Sequence, residues 1–176
     1  MSMTTTHTAP ALFSLVTLAV LSTLCLSTGA APLNALQNVQ SDTSWLSWEG
    51  LEYAYFKTLL TWDEAEIVCT YHNGHLASVH DRDLGQHLFT LAGRNAKTPH
   101  HLGGRSVGGV WHWTDGSTFD YTNWLVGEPN NQNGNEECLA VGQPDFGTGA
   151  QWNDRRCGRN QASPFMCQRS PLVNCA

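Results

Sequence analysis

The chain has 176 residues and a formal net charge of −6, with 16 Gly, 7 Trp and 6 Cys. That length suits one ordinary domain. The acidic balance excludes nucleic acid and anionic membrane surfaces as partners, since both reward basic patches, and apart from the pair Arg155-Arg156 the Lys and Arg residues are scattered.

Residues Ala11 to Leu26 form an apolar run followed by the small residues Ser27 to Ala31. The run falls short of the roughly 18 residues a spanning helix needs, so residues 1–30 read as a secretory signal peptide cut after Ala30 or Ala31. The first ten positions carry no Lys or Arg, which leaves a membrane-bound signal-anchor as the competing reading. The expectation is a secreted chain with no membrane insertion. Residues 31–44 then read as a polar linker, 45–170 as the domain and 171–176 as a tail. No Asn-x-Ser/Thr acceptor for N-glycosylation occurs.

Tyr53, Tyr55 and Phe56 mark a first strand. Thr61 and Glu64 have capping-box spacing, which predicts a helix through Ala65, Val68 and Cys69, broken at Asn73-Gly74. Leu76-Ala77-Ser78-Val79 is a strand candidate. Asp81 caps a second helix with Leu84, Leu88, Phe89 and Leu91 on one face. Residues 94–150, dense in Gly, Asn, Asp, Pro and Trp, read as long loops with short strands such as Val110–Trp113 and Cys138–Val141. The layout is α+β.

Cys25 lies in the leader, leaving Cys69, Cys138, Cys157, Cys167 and Cys175. An odd set in a secreted chain implies two internal bridges and one thiol for another partner. Spacing does not choose among the three pairings that four cysteines allow.

The chemistry concentrates in Glu128-Pro129-Asn130-Asn131-Gln132-Asn133-Gly134-Asn135-Glu136-Glu137 and, beyond it, Trp152-Asn153-Asp154. These segments offer oxygen donors and no His or Cys at liganding spacing. Calcium takes six to eight oxygens, whereas zinc prefers nitrogen and sulfur, so a metal here is expected to be calcium. Calcium accepts more ligands than the protein supplies, which leaves room for two sugar hydroxyls. Each hydroxyl has lone pairs for the cation and for an amide, and a proton for a carboxylate. Alternating acids and amides, Glu128 with Asn130 and Glu136 with Asn153, match that need, and a cis Glu128–Pro129 bond would turn the flanking side chains toward one point. The plainer reading is a solvated Asn/Gly-rich loop.

With these residues in view, the chain resembles the C-type lectin family over roughly Trp45 to Arg169. Thr61-Trp62-Asp63-Glu64-Ala65-Glu66 resembles its first helix, and His75 to His80 its hydrophobic-Ala-Ser strand. Trp111-His112-Trp113 and Phe119 to Trp124 resemble its tryptophan-rich strand and the segment that follows. Glu-Pro-Asn, Glu136 ahead of Cys138, and Trp-Asn-Asp complete the order. The resemblance implies the C-type lectin-like fold: two helices, small antiparallel sheets and a long calcium-binding loop region. It also implies bridges Cys69–Cys167 and Cys138–Cys157, and shared ligation of calcium and sugar by Glu128, Asn130, Glu136, Asn153 and Asp154. Glu-Pro-Asn is the version associated with mannose-type sugars (mannose, fucose, N-acetylglucosamine). Gln143-Pro144-Asp145 spells the family's galactose tripeptide, but it lies after Cys138, where no ligand belongs.

Two departures stand out. The family's Trp-Ile-Gly-Leu stretch appears as His101-Leu102-Gly103-Gly104, and the loop Arg105 to Gly109 has no acid, so one principal calcium is expected rather than two. Cys175 is extra and could link chains. The histidines are scattered and read as surface or core polar groups. No nucleophile elbow, phosphate loop or paired-carboxylate pattern suggests an enzyme. The expected function is mannose-type glycan binding; the alternatives are an ice-binding or structural relative and a membrane-anchored receptor.

Overall fold

The computed structural model describes residues 33–93, 98–142 and 149–172. The expected signal peptide, Cys175 and the Gln143-Pro144-Asp145 tripeptide lie outside the described residues. The elements run in chain order as α1 (Leu33–Leu36), β1 (Leu46–Trp48), β2 (Leu51–Leu60), α2 (Trp62–Tyr71), β3 (Gly74–Leu76), α3 (Arg82–Leu91), β4 (His100–Val107), β5 (Val110–Trp113), β6 (Cys138–Val141), β7 (Trp152–Arg155) and β8 (Ser163–Arg169).

The two long helices start as their sequences direct. Glu64 N donates to Thr61 Oγ1 at 3.3 Å, and Thr61 N donates to Glu64 Oε2 at 3.0 Å, which satisfies two end donors of α2. Asp81 Oδ1 accepts from Leu84 N at 2.8 Å and caps α3. The break after α2 is equally local: Asn73 has φ 62, and Gly74 passes so close to β8 that a Cβ there would lie 1.9 Å from the Gln168 carbonyl oxygen.

All eight strands join one hydrogen-bonded network in the order β1-β2-β8-β4-β6-β7, with β3 on β8 and β5 on β4. Every pairing is antiparallel except β4 with β8, which meet in parallel at His101 and Phe165. One core gathers Phe56, Trp62, Val68 and Phe165 around α2 and the Cys69–Cys167 bridge. The other gathers Trp113, Leu139, Trp152 and Met166 under the loop-rich half. Cys138–Cys157 is the second bridge. The pairing that spacing left open is therefore the one the resemblance implied. The bridge over 98 residues constrains the unfolded chain by about 4–5 kcal/mol in a chain-entropy account.

Part of the expected linker is held to the domain: Leu36 of α1 is buried, Asp42 N donates to the Tyr55 carbonyl at 2.8 Å, and His72 Nε2 donates to the Val39 carbonyl at 2.9 Å. Two expectations change. The strand expected over Leu76–Val79 instead covers Gly74–Leu76, because Ser78 directs its N–H to Gln168 Oε1 (2.8 Å) and its hydroxyl to Asp115 Oδ2 (2.7 Å). The region read as loops from residue 94 contains the eight-residue β4.

His100 and His101 are each 1% exposed on β4. His101 Nε2 donates to the Leu60 carbonyl at 3.1 Å, while His101 Nδ1 and both His100 nitrogens are buried without a partner among the described residues. Burial, chiefly, pushes both side chains down to about 4. The adjacent His101 adds to the effect on His100. For His101 the Leu60 bond opposes the shift and the Arg155 charge adds to it.

Candidate functional site

The oxygen-rich loop is built against β7. Asp154 pairs with Leu139 across β6–β7 and is only 1% exposed. Its Oδ1 accepts from Asn130 N at 3.1 Å and its Oδ2 from Asn131 N at 2.7 Å. A buried carboxylate receiving two backbone N–H groups is a strong anchor, so Asp154 fixes where the loop turns. The Glu128–Pro129 bond is cis. Asn130 Nδ2 donates to Glu128 Oε1 at 3.0 Å and Asn130 N to Glu128 Oε2 at 3.1 Å. Glu128, Asn130 and Asp154 thus form one connected set.

Glu136 joins through Asn131. Asn131 Oδ1 accepts from Glu136 N at 3.0 Å, and Glu136 Oε2 accepts from Gln132 N at 3.0 Å. Asn131 adopts φ 45, a left-handed conformation that Asn tolerates better than most residues. Asn131, Glu136 and Asp154 line an open cavity of about 380 Å³ together with Ser106, Gly108 and Gly109 from the end of β4 and the turn after it. Asn153 stands apart. It alternates with Asp154 along β7, and its Oδ1 is buried with no hydrogen-bond partner among the described residues.

The site has the electrostatics of an anion-rich hollow. Burial, first, and the neighbouring Asp154 carboxylate push Glu128 up to about 7. Two acids held together favour a shared proton or a cation between them. The unpartnered Asn153 oxygen is the kind of buried acceptor a hard cation satisfies. The donors therefore fit calcium by chemistry. The acids alone do not gather into a metal-holding group: among the described residues no cluster of three or more His, Cys, Asp or Glu is arranged for one. Amide oxygens would have to complete the shell.

Two contributors escaped the sequence reading. Asn131 acts through backbone shape and a bridging amide, and Glu137 lines the cavity while its carbonyl accepts from Ser106 N at 2.8 Å. The only available signal was their position inside the Glu128–Glu137 run.

A second constellation has the order of an acyl-transfer triad. His80 Nδ1 lies 2.8 Å from Asp120 Oδ1, and His80 Nε2 lies 3.2 Å from Ser78 Oγ. A nucleophile needs an exposed oxygen whose proton faces the base. Ser78 is 2% exposed and its hydroxyl donates to Asp115. Burial opposes it, yet hydrogen bonds from Ser117, Ser78 and Gln168 hold Asp115 below its usual carboxylate range. The group clamps β8 to the Trp113 strand end.

Comparison with known proteins bears on the family and the fold. The family model described as "Lectin C-type domain" matches residues 58–169. The chain is 36% identical over 132 residues to C-type lectin lectoxin-Lio1 of Erythrolamprus poecilogyrus, covering 72% of this chain and 78% of that one. Among solved structures it resembles C-type lectin CEL-I of Cucumaria echinata, with TM-score 0.64, 27% identity, and coverage of 73% and 96%. It also resembles the type II antifreeze protein of herring, with TM-score 0.64, 25% identity, and coverage of 74% and 99%. No helix among the described residues is long and apolar enough to cross a membrane.

Proposed function

The chain belongs to the C-type lectin family, as a protein with one such domain, and from that premise we propose that it is a secreted, calcium-dependent lectin for mannose-type glycans. The observation that carries the reading is the hydrogen-bonded set of Glu128, Asn130 and Asp154, with Glu136 joined through Asn131. Calcium, when bound, supplies a Lewis-acidic centre for two neighbouring sugar hydroxyls. Glu128, Asn130, Glu136, Asn153 and Asp154 are the residues proposed to hold it. The carboxylates accept hydroxyl protons, and the amides donate to hydroxyl lone pairs.

The CEL-I and herring antifreeze likenesses have equal TM-scores, so fold alone does not choose between sugar and ice. The connected Glu-Pro-Asn loop favours sugar, because it holds acid and amide side by side as one hydroxyl requires. A single open site of this kind binds weakly, near millimolar or about −4 kcal/mol. Useful retention then needs several sites on one particle, which is the role proposed for a Cys175 link between chains.

Tripeptide identity is expected to select the sugar. Exchanging the acid and amide with Glu128→Gln and Asn130→Asp reverses which side of the hydroxyl pair donates. The variant should then rank galactose above mannose in competition binding. An unchanged ranking would mean that another element selects.

A further inference from the structure

The dipeptide Asn-Gly occurs twice in the chain, at Asn73-Gly74 and at Asn133-Gly134. It is the pair best suited to spontaneous deamidation. The backbone nitrogen after the asparagine can attack the side-chain amide carbon, and glycine carries no Cβ to crowd that attack. Both asparagines are exposed and both are left-handed, with φ 62 at Asn73 and φ 61 at Asn133. Sequence and local conformation therefore do not separate them. Their surroundings do.

Attack requires the Asn-Gly peptide unit to rotate until the glycine nitrogen faces the side-chain carbon. Gly74 is fixed against that rotation. It opens β3, pairs with Arg169 of β8, and lies so close that a Cβ would sit 1.9 Å from the Gln168 carbonyl oxygen. Gly134 is held by far less. No atom stands within 4 Å of where its Cβ would be, and its N–H makes a single turn bond to the Asn131 carbonyl at 2.8 Å. The Asn133 side chain is exposed and makes no hydrogen bond with the described residues.

The reaction balances without an oxidant. Gly134 N loses its proton and bonds to Asn133 Cγ, the Cγ–Nδ2 bond breaks, and ammonia leaves a five-membered succinimide. Water then opens the ring at either carbonyl, giving aspartate or isoaspartate. The isoaspartate product adds one methylene to the main chain between Asn131 and Glu136. Those two residues are tied over a short span, by Glu136 N on Asn131 Oδ1 at 3.0 Å and by Gln132 N on Glu136 Oε2 at 3.0 Å. A tie of that length has no slack for an extra atom, whereas Asn131 N stays fixed to Asp154.

We propose that Asn133-Gly134 is a self-modification site, and that its conversion to isoaspartate uncouples Glu136 from the Asn131–Asp154 anchor and retires the binding loop as the protein ages. The modification and the uncoupling stand on the loop alone; the loss of sugar binding rests on the function proposed above.

The test ages the full chain in warm, mildly alkaline buffer and maps deamidated peptides by mass, with isoaspartate identified by enzymatic methyl transfer. Conversion at Asn133 should outpace that at Asn73 about tenfold, since only the latter must break strand pairing. Equal conversion, or faster conversion at Asn73, overturns the site. In the purified isoaspartate form the Glu136 amide should exchange its hydrogen about fivefold faster than in fresh protein, as one lost hydrogen bond implies. Unchanged exchange overturns the uncoupling. Retention on immobilised mannose should decline in step with isoaspartate and persist in Asn133→Gly, which keeps the left-handed turn and removes the reacting amide. Equal decline in that variant overturns the link to binding. Fresh protein that never binds mannose counts only against the calcium–sugar reading, and the peptide map and exchange rate still decide the modification.

Discussion

Asp154→Asn is expected to lower calcium affinity about 100-fold or more and to remove sugar binding with it. The carboxylate does two jobs at once. It carries negative charge toward the proposed cation, and it accepts Asn130 N and Asn131 N, one on each oxygen. An amide in its place presents an NH2 group to one of those backbone donors. That leaves a buried N–H unpaired, at a cost of about 1–3 kcal/mol, and it releases the loop at the point where Asn130 is positioned. Changing a supporting partner of a metal ligand commonly lowers affinity 10–100-fold, and here ligand and support are the same group. Calorimetric titration of calcium into the variant measures this, with near-ultraviolet circular dichroism of the metal-free protein confirming its fold. Affinity within about threefold of the parent would remove Asp154 from the site.

Acid is expected to unfold the protein through β4. His100 and His101 are held neutral by burial, with folded values about 4 against 6.5 for the free side chain. Between those two pH values the unfolded chain binds protons that the folded chain refuses, so stability rises with pH across the window and is lost as pH falls through it. Each such group changes stability by about 1.4 kcal/mol per pH unit, or about 3 kcal/mol across the window for one histidine and more for the pair. Their surroundings give little relief. The Arg155 charge faces His101, and the Tyr55 ring stands edge-on to His100 at 5.9 Å. Urea midpoints measured from pH 7 to 4 should fall steeply for the parent. They should fall less for a His100→Phe, His101→Phe variant, whose remaining slope belongs to the carboxylates. Parallel slopes would show that the pair does not titrate as a buried unit.

Local chemistry explains how much could be read in advance. The Thr61–Glu64 capping box, the Asp81 cap and the break at Asn73-Gly74 are decided by neighbours in sequence, and the helices begin and end there. β5 and β6 matched the Val110–Trp113 and Cys138–Val141 runs because apolar and aromatic residues dominate both, with His112 the one exception. β4 was hidden: two buried histidines and Gly103-Gly104 interrupt the apolar signal, although a Cβ on Gly103 would meet the Leu76 carbonyl oxygen at 2.5 Å. In segment 33–44 a polar composition conceals the buried Leu36 and the partly buried Val39, which pack into the first core.

In the site, Glu128, Asn130 and Asp154 stood out by residue type, and their hydrogen bonds draw them together. Asn131 did not stand out, since its contribution is a left-handed backbone and a bridge rather than a donor pattern. Asn153 is adjacent to Asp154 in sequence but alternates with it along β7, a separation that only the strand pairing reveals.

Chromatography on immobilised mannose tests the central claim most directly. The intact protein, loaded in calcium, should be retained and then released in full by a calcium chelator, and by free mannose in preference to free galactose. Retention that survives chelation, or no retention with calcium present, would contradict a calcium-held mannose-type site at Glu128, Asn130 and Asp154.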